Sequence, residues 1–227
     1  YENKKNYRFV VTQNEKVFMY NSKGDIVKGF KYDIAEGNIL DAPQHFRIGK
    51  KDYLVFKLDN GQLKITDRVG NTRVTVKDKF SFSDNDIKLY QNKFTFTSLD
   101  GNLFQIDTKG AISSSKLNLA KDHGMDATTR TLVVMNDNIL KIRDKKIQLE
   151  LGVYSKPTIF YLNDKIYVSV TDIQNQKIYL FDSQAESIPN FPIFGNSVID
   201  MADINNNKKA ELVFKDQENT IQVYKIR

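Results

Sequence analysis

The chain repeats itself, and the repeat limits what it can fold into. The segments 16-KVFMYNSKGDIVKGF-30, 62-QLKITDRVGNTRVTV-76 and 102-NLFQIDTKGAISSSK-116 share one layout. A short alternating strand ends on Asn or Asp, two residues follow, then Gly, then a second strand. The segments 138-NILKIRDKKIQLELG-152 and 177-KIYLFDSQAESIPNF-191 are looser copies, and the chain ends on 220-TIQVYKIR-227. The marker residues Asn21, Asp67, Asp107, Asp144 and Asp182 are separated by 46, 40, 37 and 38 residues. Each copy is preceded by another short apolar run, such as 52-DYLVFKL-58, 93-KFTFTSL-99 or 165-KIYVSVT-171. A polar hairpin joins the two. Asn60-Gly61 and Asp100-Gly101 suit tight turns that need positive φ, and Gly24, Gly70 and Gly110 serve the following turn in the same way.

A period of roughly 40 residues is the size of one four-stranded propeller blade. Both faces of the strands are partly apolar, as strands covered on both sides require. The expectation is therefore an all-β chain: a β-propeller of about five to six four-stranded blades, with 1–227 as a single domain. Only 117-LNLAKDHGMDA-127 tolerates a helix, and Gly124 interrupts it. Six copies of the paired-strand core are visible. The first lacks a clear leading strand and the last a trailing one. Either 1-YENKKNYRF-9 completes the final blade, or the chain is part of a longer propeller.

The motifs 20-YNSKGDIVKGFKY-32 and 181-FDSQAESIPNFPIFG-195, with Gly29-Phe30 and Phe191-Pro192 in matching places, resemble the degenerate propellers of the quinoprotein-like and FG-GAP-like type, which includes PQQ-repeat scaffold proteins. The stretch 200–226 looks like the unit that follows in such chains. The resemblance implies the fold and a bacterial cell-envelope setting, periplasmic or secreted. The chain also departs from these families. It has no Trp, so the tryptophan motif of PQQ repeats and the Trp-Asp of WD40 repeats are both missing. A PQQ dehydrogenase is not expected either, since the cofactor-stacking Trp and paired Cys of that family have no counterpart here.

Composition narrows the function classes. No apolar run approaches the roughly 20 residues that span a bilayer as a helix, so membrane insertion is not expected. With no Cys, disulfides, thiolate nucleophiles and cysteine metal sites are excluded. The net charge is +6, which can mark a nucleic-acid binder. Lys far outnumbers Arg here, however, and Arg is the better bidentate reader of phosphate. The short clusters Lys4-Lys5, Lys50-Lys51, Lys141 to Lys146 and Lys208-Lys209 lie near turns. We read them as solvated surface rather than a nucleic-acid face. The chain opens on Tyr1, as expected of a processed protein or a segment of a longer one.

The sharpest candidate site is 203-DINNNKKAEL-212. Calcium takes six to eight oxygens, with carboxylates supplying charge. Asp203, Asn205, Asn207 and Glu211 fall at positions 1, 3, 5 and 9 of a loop, with the Lys209 carbonyl at position 7. This spacing matches calcium loops of the FG-GAP type. The alternative is a plain turn. There are only two carboxylates, Lys208 stands where glycine is usual, and Asn adopts the left-handed conformation without a metal.

Little else points to chemistry. His45 and His123 are isolated, and a zinc or triad site needs a constellation; structural or solvent roles are expected for both. Asp84 and Asp86 read as solvated loop acids without the partner that a glycosidase requires. Most aromatics, Phe9, Phe18, Phe56, Phe94, Phe96, Phe104, Phe160 and Phe181 among them, are expected in the core. Phe194 or Tyr154 on a loop would instead suit a binding hot spot. The expected function is a non-catalytic scaffold that binds a protein or other macromolecular partner through its loop faces, where a propeller's function resides. The alternative is a central-channel enzyme, a lyase or hydrolase, calcium-assisted, with carboxylates such as Asp41, Asp126 and Asp200 converging at the channel mouth.

Overall fold

The computed structural model describes residues 7–216, 218 and 220–226. Residues 1–6, part of the stretch that one of the two alternatives has completing the final blade, and Gln217 and Asn219 of the last hairpin lie outside them. The described residues form six antiparallel sheets in chain order and no helix.

The first sheet pairs β1 (Arg8–Gln13) with β2 (Lys16–Asn21), and Ile26 adds a single bridge to Tyr20. The second holds β3 (Gln44–Ile48), β4 (Lys51–Lys57), β5 (Leu63–Thr66) and β6 (Thr72–Val74). The third holds β7 (Lys88–Tyr90), β8 (Lys93–Thr97), β9 (Asn102–Ile106) and β10 (Ile112–Lys116). The fourth holds β11 (Gly124–Ala127), β12 (Leu132–Asn136), β13 (Ile139–Ile142) and β14 (Lys145–Gln148). The fifth holds β15 (Thr158–Leu162), β16 (Lys165–Asp172), β17 (Lys177–Asp182) and β18 (Ile193–Phe194), and the sixth β19 (Asp200–Ala202), β20 (Glu211–Lys215) and β21 (Ile221–Lys225). Within each sheet, sequence neighbours pair. The strands singled out from sequence are the second and third of each blade. Among the described residues the first sheet has no leading strand and the last no trailing one.

Each sheet packs its face on the next. One apolar cluster joins Val17 and Met19 to Leu54 and Phe56, and the next joins Val55 and Ile65 to Phe94 and Phe96. Further clusters bridge blades three and four, four and five, and five and six. Phe56, Phe94 and Phe96 are fully buried, each worth about 1.5–3 kcal/mol relative to an exposed side chain. Phe9 corrects the core expectation. With Val11 it lies on the outward face of β1, which no described sheet covers, and it is exposed. Ile221 and Val223 are exposed in the same way on the last blade.

The repeat markers close one kind of turn. Oδ1 of Asn21 accepts the N–H groups of Lys23 and Asp25. Asp67 does so for Val69 and Asn71, Asp107 for Lys109 and Ala111, and Asp182 for Gln184 and Glu186. The side chain thus supplies the acceptor for two donors that the turn leaves unpaired. Asp144 does not share this role: the turn there is two residues long, and Arg143 carries its left-handed φ of 56°.

The stretch 117–127 forms a loop and then β11. Leu117, Leu119 and Met125 alternate and pack across blades three and four, so period 2 prevails over the helical one. A Cβ on Gly124 would stand 2.6 Å from Pro157, so the inner strands crowd together there.

Candidate functional site

The two ends of the propeller differ. At one end lie the hairpins between second and third strands, together with the segments linking successive blades. Each linking segment is bonded to a hairpin. Asp59 N–H donates to Asn38 O, Phe80 to Gly61 O, Leu117 to Gly101 O, Leu149 to Asn138 O, and Ile173 to Val153 O. We call this the hairpin end. The 203–210 turn lies at the other end.

Four exposed apolar side chains gather at the hairpin end across blades four to six: Leu151, Val153, Ile173 and Val198. They are held together by backbone. Besides the Ile173–Val153 bond, Asn175 Nδ2 donates to Leu151 O, and Thr171 Oγ1 donates to Ser197 O. Beside them runs a cleft of about 210 Å³, lined by Asp122, Gly124, Asp137, Leu151, Tyr154 and Lys156 among others. The floor is rigid. Asp172 is fully buried; its Oδ1 accepts the N–H groups of Gln174 and Asn175, and its Oδ2 accepts Asn175 Nδ2 at 2.6 Å. Tyr154 is half-buried and its hydroxyl donates to Glu150 O. Burial, with Tyr179 and Asp172 nearby, pushes that hydroxyl's pKa up, so it remains a phenol. Phe194 lies on β18 rather than in a loop and is exposed.

The inner strands carry a polar ladder. Lys88 Nζ on β7 is 3.1 Å from Asp126 Oδ1 on β11, and Asp126 Oδ2 accepts Ile159 N–H from β15 at 2.8 Å. The two other carboxylates considered for a channel site are engaged elsewhere. Asp41 pairs with buried Lys57 of blade two, and Asp200 of blade six is exposed and accepts Met201 N–H. The three belong to different blades, and each has its own partners. Asp84 and Asp86 are exposed in the segment before β7; Asp84 O accepts from Lys156 Nζ, and Asp86 lies 3.5 Å from Lys88.

His45 is on the inner strand β3, 3.1 Å from Asp52. His123 sits in a segment before β11 but is buried. Its Nδ1 contacts Ala120 O at 2.6 Å and its Nε2 contacts Thr97 Oγ1 at 2.7 Å. A carbonyl only accepts, so Nδ1 donates there. Thr97 also meets Ser83 Oγ, and Asn85 Nδ2 reaches Ser83, Thr97 and His123 O while its Oδ1 accepts Met125 N–H. This His–Thr–Ser–Asn network stitches blades three and four. It was not legible in the sequence, because its members lie up to 40 residues apart and share no motif.

The 203–211 turn brings its four candidate residues together. Asp203 accepts the N–H groups of Asn207 and Lys208, at 3.0 and 2.8 Å. Asn205 and Asn207 accept from Asn207 and Lys209, and Glu211 Oε2 accepts Ile204 N–H at 3.1 Å. Asn206 and Lys208 have φ of 57° and 61°. Lys208 therefore holds the conformation glycine would take at that place. Glu211 is buried and its Oε1 has no hydrogen-bond partner; the nearest cation is Lys225 Nζ at 3.8 Å. A turn rich in side-chain oxygens, with the buried Glu211 carboxylate reaching it through Oε2, fits the all-oxygen donor set of a divalent cation. Asp203, Asn205, Asn207 and Glu211 are the residues that would hold it.

No family model matches the chain, and no curated protein matches it. Solved structures do match. The BBS1N domain, solved in complex with ARL6DN, aligns with a TM-score of 0.66 at 10% identity, covering 97% of this chain and 75% of that one. The computationally designed Ika8 protein aligns at 0.63 and 12% identity, covering 94% and 66%. The dihydro-heme d1 dehydrogenase NirN, in complex with DHE, aligns at 0.60 and 13% identity, covering 97% and 54%. The chain thus spans between about half and three quarters of their lengths. At such identities the likeness is one of fold: the chain is a β-propeller.

Proposed function

We propose that this propeller is a non-catalytic scaffold that binds a protein partner through its hairpin end. The observation that carries the reading is the exposed apolar set Leu151, Val153, Ile173 and Val198 beside a cleft lined by Leu151, Val153 and Tyr154. Leu151 is 82% and Ile173 50% exposed. Contiguous exposed apolar groups rimmed by polar residues are characteristic of interaction sites, and a preformed pocket suits an aromatic or aliphatic anchor. BBS1N, a propeller of similar fold, was solved with a protein partner, which supports the class of function but not the identity of the partner. The test is a photo-crosslinker placed at Val153 and, as a control, at Tyr161 on the opposite end. One protein captured from Val153, and lost in Ile173→Asp, supports the reading. Equal capture from both positions, or none from Val153, defeats it. The quinoprotein-like resemblance makes a cell-envelope setting part of this proposal, which cell fractionation tests.

A second reading rests on the oxygen-rich 203–211 turn and the buried Glu211 carboxylate, whose Oε1 makes no hydrogen bond and has Lys225 Nζ at 3.8 Å. We propose that the 203–211 turn binds calcium, as in the FG-GAP-type loops it resembles. A cation that binds only the folded chain raises its melting temperature. Melts in EDTA and in millimolar calcium should then differ by several degrees, and Asp203→Ala should abolish the difference. Identical melts would leave the turn without a metal role.

A further inference from the structure

The end opposite the hairpins repeats one chemical feature that neither reading uses. The second strand of each blade starts there, and a cation marks the start in all six. In four blades the cation is the first residue of the strand: Arg8 of β1, Lys51 of β4, Lys93 of β8 and Lys165 of β16. In blades four and six, Arg130 and Lys209 stand two residues before β12 and β20. Five of the six are exposed and Lys93 is half-buried. Lys50 and Lys208, both exposed, double the charge in two blades.

Of the described residues, only four carboxylates, Asp52, Asp164, Asp203 and Glu211, lie among these eight cations. Asp164 accepts the Tyr161 hydroxyl at 2.7 Å, and Asp203 is bonded to Asn207 and Lys208 N–H. Asp52 and Glu211 are buried. The outer turns of blades two and three balance themselves, with Asp67 beside Arg68 and Asp107 beside Lys109, while Asp182 and Glu186 of blade five lie against the Arg143, Lys145 and Lys146 turn of blade four, whose Lys145 reaches Gln184 O. At the hairpin end a carboxylate stands at or up to three residues before the start of four inner strands, Asp41, Asp86, Asp122 and Asp200, although β7 itself begins on Lys88 and β15 follows Lys156. The propeller is therefore polarised along its axis. Two large side chains also project at the basic end: Tyr161 is 64% and Ile204 65% exposed.

We propose that the end ringed by Arg8, Lys51, Lys93, Arg130, Lys165 and Lys209 docks on an anionic lipid bilayer surface, with the acidic hairpin end facing away. One cation per blade around a ring suits a plane of charge, whereas a single-stranded nucleic acid is tracked by a groove with stacked aromatics. Four of the six are Lys, a hydrated point charge rather than a bidentate phosphate fork. Tyr161 and Ile204 have the character of side chains that enter the headgroup layer. Each basic residue near such a surface is worth about fivefold in partitioning, and the attraction decays within a Debye length.

The test is co-sedimentation with phosphatidylcholine vesicles, with and without phosphatidylglycerol, at low and high salt. Binding is expected only with phosphatidylglycerol and only at low salt. Combining Lys51→Gln, Arg130→Gln, Lys165→Gln and Lys209→Gln should lower the partition coefficient by at least about tenfold. A control set with the same charge change near the hairpin end, Lys77→Gln, Lys79→Gln, Lys116→Gln and Lys121→Gln, should change it less than about twofold. Both sets carry exposed residues, and an unchanged melting temperature verifies the fold. No binding to anionic vesicles overturns the proposal. Equal losses in the two sets reduce it to net charge and overturn the assignment of the face. Tighter binding to a single-stranded oligonucleotide than to vesicles overturns it in favour of nucleic acid.

Discussion

Lys88 Nζ stands 3.1 Å from Asp126 Oδ1 and so ties the inner strand of blade three to that of blade four. Burial alone would pull the Lys88 pKa down, but Asp126 and then Asp86 hold it above its ordinary value. Replacing Asp126 with Asn should cost about 1–3 kcal/mol, since Lys88 loses a charged partner. Urea denaturation measures the loss. The same shift has a sign in pH. A lysine whose folded pKa is raised stabilises the fold below its unfolded pKa, and that contribution fades as pH rises through the folded value. Tyr32 and Tyr154, raised mainly by burial, act in the same direction. Stability should therefore fall above about pH 10, and Asp126→Asn should flatten that limb.

Gly152 and Gly24 should respond to alanine differently. A Cβ on Gly152 would lie 2.1 Å from the Asp172 carboxylate, which three hydrogen bonds hold in place. Overpacking of this kind costs about 1–3 kcal/mol or more. Gly24 has φ of 85° but open space around it, so only the left-handed penalty of about 1–2 kcal/mol applies. Beyond the larger loss, Gly152→Ala should disturb the apolar patch and weaken partner capture at Val153, whereas Gly24→Ala should leave capture intact.

Asp107 tests the marker turn. The N–H groups of Ala111 and Lys109 hold its carboxyl below the usual range. Its contribution is present above about pH 4 and is lost as pH falls through the depressed value. Asn serves the same turn at position 21, so Asp107→Asn should be nearly neutral in stability at pH 7. Asp107→Ala, which leaves two donors without the acceptor, should cost about 1 kcal/mol. Thermal melts of both variants decide the matter.

Lys208 should prefer to be glycine. At φ of 61° a side chain costs about 1–2 kcal/mol, of which glycine's greater chain entropy returns about 0.5–1. Lys208→Gly is expected to stabilise the chain slightly in EDTA. If the turn takes calcium, the stabilisation should grow in its presence, because a cation beside the site is removed as well.

The legible parts of the fold were those with local causes. Asn21, Asp67, Asp107 and Asp182 marked turns because one side chain there binds two nearby N–H groups. The second and third strands were visible because both their faces are apolar. The inner strands are faint by comparison: β7 is three residues long and β11 contains Gly124 and Asp126, so neither shows alternation. Phe9 was misplaced because an outward face looks like an inward one when its cover is not known. At the 203–211 turn the four oxygen-bearing residues were legible from spacing. The burial of Glu211 and its unpaired Oε1 were not, since they depend on the strands around them.

Each linking segment is bonded to the hairpin of its own blade, of the next, or of both. Blade two, for instance, is tied to the segment on its N-terminal side by Asn38 and Asp59, and to the segment on its C-terminal side by Gly61 and Phe80. Every joint is thus made by neighbours in the chain, and no bond across the ring is required to form it. Such an assembly behaves as a row of coupled units in which each unit stands only as firmly as its neighbours. Among the described residues, the apolar clusters join blade one to blade two and blade six to blade five; amide hydrogens of these two blades should therefore exchange first, and exchange should slow towards blades three and four, so that the described sheets fray from the ends of the row like a rope rather than opening at the middle.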